Sequence, residues 1–425
     1  MAKTYSNFEA FEHKGVFHLP GFDELVSGIV SYSPEQGIRL DLIGSLKSSI
    51  QELFFNQKVD CINGEIETGK DVTLFNCFSS FTGNSTCSFV VERYKCSYML
   101  IGLSVSSHSE CKYKQAICSF PVLPFWCQPQ KLNTHRRDSH ILSCSIELDN
   151  LFSDIIGIKI SNDKTLTLCE NCGFKADLST KSLTFNENTI ARFDYESPRS
   201  LENITYDTQI FADFLSFMTL DLQECSSIRI ELEENKSAWL IHKPTIELNM
   251  KKNVMGEFLA KYEQIKEYLP ELISTWYDNK KSRPIVAHLI DSITYRKVFT
   301  ENDFLMVIQA LDGYSKRYYS NKNKGLSERI QEIYDKYKSL YIFCNESFDA
   351  HSIAHTRNYY SHLYDESTLQ GDELIDPIAL YNTTGVIRKL LICCVMELVG
   401  FSVSQIENIT QNSTNYYLQH SWNKN

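Results

Sequence analysis

Ser227–Glu234, SIRIELEE, separates the two halves of this chain. Ile228, Ile230 and Leu232 alternate with Arg229, Glu231 and Glu233. Successive strand side chains point to opposite faces, so the pattern places three aliphatics on a core and three charges in solvent. The same period of two recurs in GIRLDLIG (37–44), KDVTLFNC (70–77), CSFVVERY (87–94), GIKIS (157–161) and TLTLCENCGF (165–174). Such segments, parted by Gly, Asn, Ser and Asp, fill residues 15–235 and predict a β-rich sandwich or barrel.

Beyond about residue 250 the period becomes helical. In 256–280, GEFLAKYEQIKEYLPELISTWYDNK, Pro270 kinks the helix or ends its first part. The segment 300–320 opens with Thr300 as N-cap and Asp303 at N3, and SERIQEIYDKYKSLYIF (327–343) reads as capped by Ser327. DPIALYNTTGVIRKLLICCVMELVG (376–400) has Asp376 as cap, Pro377 at the first helical position and Gly400 past the end. The prediction is an α+β chain: a β-rich domain over 1–245 and an all-α bundle over 250–425.

Length agrees, because 425 residues exceed one core and domains average about 150 residues. With 43% hydrophobic and 22% charged residues the chain reads as folded. The opening MAKTYSNFEAFEHKG shows no positive region followed by an apolar one, so no export is expected. The 14 cysteines then read as small, reduced hydrophobes of a cytoplasmic protein. The apolar run 386–401 is interrupted by Arg388, Lys389 and Glu397, falls short of the roughly 20 residues that cross a bilayer, and reads as a buried helix.

The net charge is −11, yet residues 251–340 hold 16 Lys+Arg against 12 Asp+Glu. Within them KRYYSNKNK (316–324) interleaves Lys316, Arg317, Lys322 and Lys324 with Tyr318 and Tyr319. Phosphates and stacked bases use this combination; a solvated loop between helices is the plain alternative.

An arginine followed five positions on by a histidine occurs twice, as Arg283/His288 and Arg357/His362. Spacing alone decides nothing. Context does: Arg283 is followed by proline and aliphatics, whereas Arg357 is followed by Asn358, Tyr359 and Tyr360 and preceded by His351 and His355. If 350–365 is a helix, His351, His355, Asn358 and His362 form one stripe, and Arg357 lies about 140° around from His362. A histidine can take the proton of a ribose 2′-hydroxyl or protonate the leaving oxygen, while an always-charged arginine stabilises the phosphorus between them. Asn358 can orient either group, and Tyr359 and Tyr360 can stack a base. The bland reading is a polar, His/Tyr-rich interface.

Cys169-Glu-Asn-Cys172 is half of a zinc knuckle without a second Cys-x-x-Cys, and it reads more simply as a hairpin tip with two thiols. HRRDSH (135–140) reads as a solvated loop. The motifs of phosphate loops, serine-hydrolase elbows and His-Glu-x-x-His zinc sites are absent from the sequence.

The stretch Arg357-Asn-Tyr-Tyr-Ser-His362, ahead of the last long helix, resembles the motif of HEPN domains. Independently, 19–46 (LPGFDELVSGIVSYSPEQGIRLDLIGSL) and 62–77 (INGEIETGKDVTLFNC) resemble the opening strand pair and following turn and strand of ApeA-type anti-phage proteins. The resemblance implies a bacterial, cytoplasmic abortive-infection protein whose HEPN domain is a metal-independent endoribonuclease without cofactor, transfer RNA being one candidate substrate. It implies catalytic roles for Arg357 and His362, support from Asn358, a trigger supplied by a phage protein, and motif helices paired across a dimer or higher even oligomer. The competing reading is a non-catalytic HEPN-like module for dimerisation or nucleotide binding, beside a β-rich domain that binds a ligand or protein.

Overall fold

The described parts of the period-two segments lie in strands or at their ends; residues 87–90 of CSFVVERY lie outside the described residues. The structure, a computed structural model, describes residues 4–46, 58–81, 91–107, 112–127, 132–137, 140–146, 152–177, 179–232, 236–244, 258–293, 300–319, 323–344, 347–362, 374–415 and 418. Two compact units emerge: Met1–Pro124, Pro129–Ala212 and Glu224–Lys252 form the first, and Phe125–Gln128, Asp213–Gln223 and Asn253–Asn425 the second.

In the first unit, β1 (Phe11–His18), β2 (Val26–Ser33), β3 (Gly37–Ile43), β4 (Lys58–Ile66), β5 (Lys70–Phe81) and β6 (Val91–Cys96) pair antiparallel in the order β5-β4-β1-β2-β3-β6. β6 returns to β5 from Phe78↔Lys95 to Phe81↔Glu92, closing a six-stranded barrel. Phe17, Val30, Leu40, Ile62, Leu74 and Tyr94 are buried in its core. The Phe17 ring lies against Gly64, where a Cβ would come within 2.5 Å of the ring and 2.6 Å of the Val16 carbonyl oxygen. Only glycine fits there.

The other half of that β5 edge pairs with β7 (Tyr98–Ile101), from which an open sheet runs through six further strands. In chain order the remaining elements are β8 (Tyr113–Ser119), β9 (Leu132–Arg137), β10 (His140–Ile146), β11 (Phe152–Ser161), β12 (Lys164–Asp177), β13 (Ser182–Arg199), β14 (Ser227–Glu231) and β15 (Ser237–His242). The open sheet has the order β7-β15-β14-β8-β13-β12-β11. In β14, Ile228 and Ile230 are buried and Arg229 is exposed, as alternation requires, while Leu232 lies beyond the strand and is half-buried.

Three expectations are corrected. HRRDSH is not all loop: His135–Arg137 and His140 belong to the antiparallel pair β9–β10, with His140 opposite Arg137, while Asp138 and Ser139 lie outside the described residues. The Cys169–Cys172 stretch is no hairpin tip: it lies inside the fourteen-residue β12, paired on both edges. The third concerns the β-rich half, which contains a helix of 19 residues after the five-residue α1 (Leu123–Cys127). This is α2 (Leu201–Thr219). Ile204, Thr208, Phe211, Leu215 and Met218 are buried at alternating steps of four and three, a helical period that the density of aromatics obscured. Phe211 packs edge-on against Phe120 and Phe193 of the first unit, and Asp207 pairs with Lys164 of β12 at 2.6 Å.

The second unit is helical. Its elements are α3 (Tyr262–Ile265), α4 (Leu269–Asp278), α5 (Arg283–Ile293), α6 (Glu301–Tyr314), α7 (Leu326–Tyr337), α8 (Ala350–His362), α9 (Pro377–Val399) and α10 (Val403–Asn412). Pro270 stands in the first turn of α4, so the predicted long helix is two. Thr300 and Asp303 cap α6 as expected, the Thr300 amide donating to Asp303 Oδ2 at 2.8 Å. α7 begins earlier than expected: Gly325, not Ser327, is its N-cap, because the Glu328 carboxylate reaches back to the Gly325 amide. α9 has Asp376 as cap and ends at Gly400, whose φ of 116° suits glycine.

α6 packs against α5, α8 and α9, and α8 also against α7. Trp126, Phe214, Phe217 and Trp276 form an aromatic cluster in this unit, with the Trp126 indole donating to the Ala260 carbonyl at 2.8 Å. Among the described residues α9 alone is long and apolar enough to cross a membrane, but it is the core helix of the unit, and even Lys389 on it is 3% exposed.

Candidate functional site

α8 carries the arginine and histidine of interest, and local chemistry explains its start. Asp349 Oδ1 accepts from the amides of His351 (2.9 Å) and Ser352 (3.2 Å), and Oδ2 accepts from the Ser352 hydroxyl at 2.6 Å. This is an N-cap. The Ser352 side chain, then its backbone amide, hold the Asp349 carboxyl below the ordinary carboxylate range.

Ala350, Ile353, Ala354 and Thr356 form the buried side of α8, and Thr356 Oγ1 accepts from the Ile375 amide at 3.3 Å, fastening the approach to α9. His351, Asn358 and His362 of the predicted stripe are exposed, whereas His355 is half-buried with its Nε2 covered. Arg357 sits one turn beyond Ile353, at the edge of the buried side, and is half-buried. Its Nη1 donates to Asn358 Oδ1 at 3.1 Å. The guanidinium is thereby turned from the packed face toward the histidine stripe, and a long apolar stem allows this. Tyr359 and Tyr360 meet edge to face at 5.2 Å. Burial, then the carboxylate of Glu301, the first residue of α6, raise the Tyr360 phenol.

The basic stretch lies at the other end of α6. There the helix runs on into a π-helical turn, Ser315–Tyr319. Lys316 pairs with Asp312 at 2.7 Å, Arg317 Nη1 donates to the Lys281 carbonyl at 3.0 Å, and the Tyr318 hydroxyl donates to Asn279 Oδ1 at 3.2 Å. Tyr319 is exposed beneath the Lys336 ammonium, and Lys324 pairs with Glu332. Lys322 lies outside the described residues. The fourteen residues of α6 span about 20 Å, so Lys316, Arg317 and Tyr318 stand roughly that far from Glu301 at its start.

Cys169 and Cys172 are three positions apart on one strand and point to opposite faces, a geometry that does not converge on one ion. The Cys169 thiol donates to Asp154 Oδ1 at 3.3 Å, and burial, then that hydrogen bond, push it up to about 12. Among the described residues no group of three or more His, Cys, Asp and Glu is placed to hold a metal.

Two contributors escaped the sequence reading. Asp349 was signalled by its place just before the helical stretch. Arg329 was not signalled at all: it is 6% exposed and bonds through Nε at 3.0 Å to Asp312, seventeen positions away, tying α7 to α6.

Comparison with known families gives two matches. Residues 12–276 match the family described as ApeA N-terminal domain 1, and residues 305–405 match Apea-like HEPN. The second match contains α8 and the turn after α6. No curated protein and no solved structure matches significantly.

Proposed function

We propose, from the premise that this chain belongs to the family defined by the ApeA N-terminal domain and its HEPN partner domain, that it is an anti-phage endoribonuclease. Membership supports a defence-type HEPN protein of nuclease character. RNA cleavage is the further step, and one observation carries it: the half-buried Arg357, held by Asn358, and the exposed His362 lie within six residues on a single capped helix.

In the proposed reaction the ribose 2′-oxygen attacks the adjacent phosphorus while the bond to the 5′-oxygen breaks, giving a 2′,3′-cyclic phosphate and a 5′-hydroxyl. His362 takes the 2′-hydroxyl proton or supplies the proton of the leaving oxygen. Arg357 stabilises the charge on the phosphorus oxygens, and Asn358 positions that guanidinium. His362 thus handles one of the two protons, a second group or water exchanges the other, and Arg357 offsets the charge, so the proposed reaction calls on no metal.

Because Arg357 and His362 diverge by about 140° around the helix axis, a second copy of the chain would supply the missing half of each site. Residues 250–425 act as the cutting domain in this reading. Residues 1–245 act as the sensing domain for a phage protein. Incubation of purified protein with total RNA in chelator, beside His362→Ala, tests the proposal. Cleavage by the unmodified chain alone supports it, whereas RNA left intact even during infection supports a binding module instead.

A further inference from the structure

We infer that the α4–α5 turn and the π-helical turn after α6 form one docking surface for the sugar–phosphate backbone of RNA; this rests on the ribonuclease reading above. The two segments are far apart in sequence, and two hydrogen bonds join them, from Arg317 to the Lys281 carbonyl and from Tyr318 to Asn279. The junction gathers Lys280, Lys281 and Arg317, all exposed, around one point. Among the described residues no carboxylate pairs with any of these three. Three other cations of this unit are neutralised by carboxylates, in Lys316–Asp312, Lys324–Glu332 and Lys336–Glu397.

Two further features favour a polyanion. α5 begins at Arg283, so the positive end of an eleven-residue helix dipole opens onto the same surface. Tyr319, two positions on from Arg317, is exposed and can stack an unpaired base. On a chain of net charge −11, uncompensated cations gathered by tertiary contacts make a local attractor for phosphate. Its place at the far end of α6 from Glu301, about 20 Å along the helix, makes it a grip on flanking backbone and not on the scissile bond.

The test uses the full chain carrying His362→Ala, so that bound RNA survives, and a fluorescently labelled single-stranded RNA titrated at several salt concentrations. Adding Lys280→Gln and Lys281→Gln, neither of which holds the turn together through its side chain, is expected to weaken binding about tenfold. It should also flatten the slope of log affinity against log salt by roughly 1.4, about 0.7 for each phosphate no longer neutralised. Lys280→Arg with Lys281→Arg should retain both. Unchanged affinity and slope in the glutamine variant, with the parent still binding RNA, would overturn this surface and leave the nuclease reading standing; equal loss in the arginine variant would also overturn it. A parent that binds no RNA at any salt overturns both.

Discussion

Arg357 donates to the amide oxygen of its neighbour Asn358 at 3.1 Å, and this hydrogen bond carries a guanidinium from the packed edge of α8 to its solvent face. If Asn358 acts only by holding that group, Asn358→Ala lowers kcat about tenfold, whereas Arg357→Ala, which removes the charge itself, costs roughly 10²–10³. Single-turnover cleavage of a labelled RNA measures both. Equal losses would mean that Asn358 touches substrate directly.

A site shared between two copies makes a distinctive complementation prediction. Arg357→Ala and His362→Ala proteins are each inactive, but mixed subunits regain up to about a quarter of the original activity, because half the dimers carry one intact composite site of two. Mixtures as dead as their components would place both groups in the same subunit's site.

Asp312 receives Arg329 from the buried side and Lys316 from the exposed side, so the two cations differ in energetic weight. Removing Arg329 takes the buried partner from a carboxylate that is 8% exposed and leaves it only Lys316; Arg329→Ala is expected to cost about 1–3 kcal/mol. Lys316→Ala loses a pair open to solvent and costs about 0–1 kcal/mol. Urea unfolding of the two variants ranks them, and a larger loss for Lys316 would contradict the burial argument.

Acid should loosen α8 at its start. The hydrogen bonds from Ser352 and His351 lower the Asp349 carboxyl in the folded protein, so its stabilisation is complete above the unfolded carboxylate value and vanishes as pH falls through the folded one. The window is therefore below about pH 4. At neutral pH, Asp349→Ala costs about 0.5–2 kcal/mol as a lost cap. Amide exchange across 351–354 reads this locally, and protection unchanged by the substitution would show that packing alone orders the helix.

What could be read from the chain beforehand was what is local. Asp376, Pro377 and Gly400 bracket α9 because caps act within one turn, and Ile228 and Ile230 face a core because strand alternation needs no distant partner. Ser327 misled because the true cap, Gly325, has no side chain; the signal was Glu328 three positions on. Closure of the barrel through Phe78↔Lys95, the Arg329–Asp312 pair and the docking of Arg317 on Lys281 depend on chain segments far apart, and no short window encodes them. The site residues stood out for their chemistry. Their divergence around α8 follows from helix geometry, but the turn of Arg357 toward Asn358 needed coordinates.

The most direct measurement is the end chemistry of RNA cut by the purified chain in excess chelator. The account predicts fragments ending in 2′,3′-cyclic phosphate with 5′-hydroxyl partners, formed at full rate without divalent ions and abolished by His362→Ala. Fragments with 3′-hydroxyl and 5′-phosphate ends, or cleavage that survives the loss of His362, would contradict it.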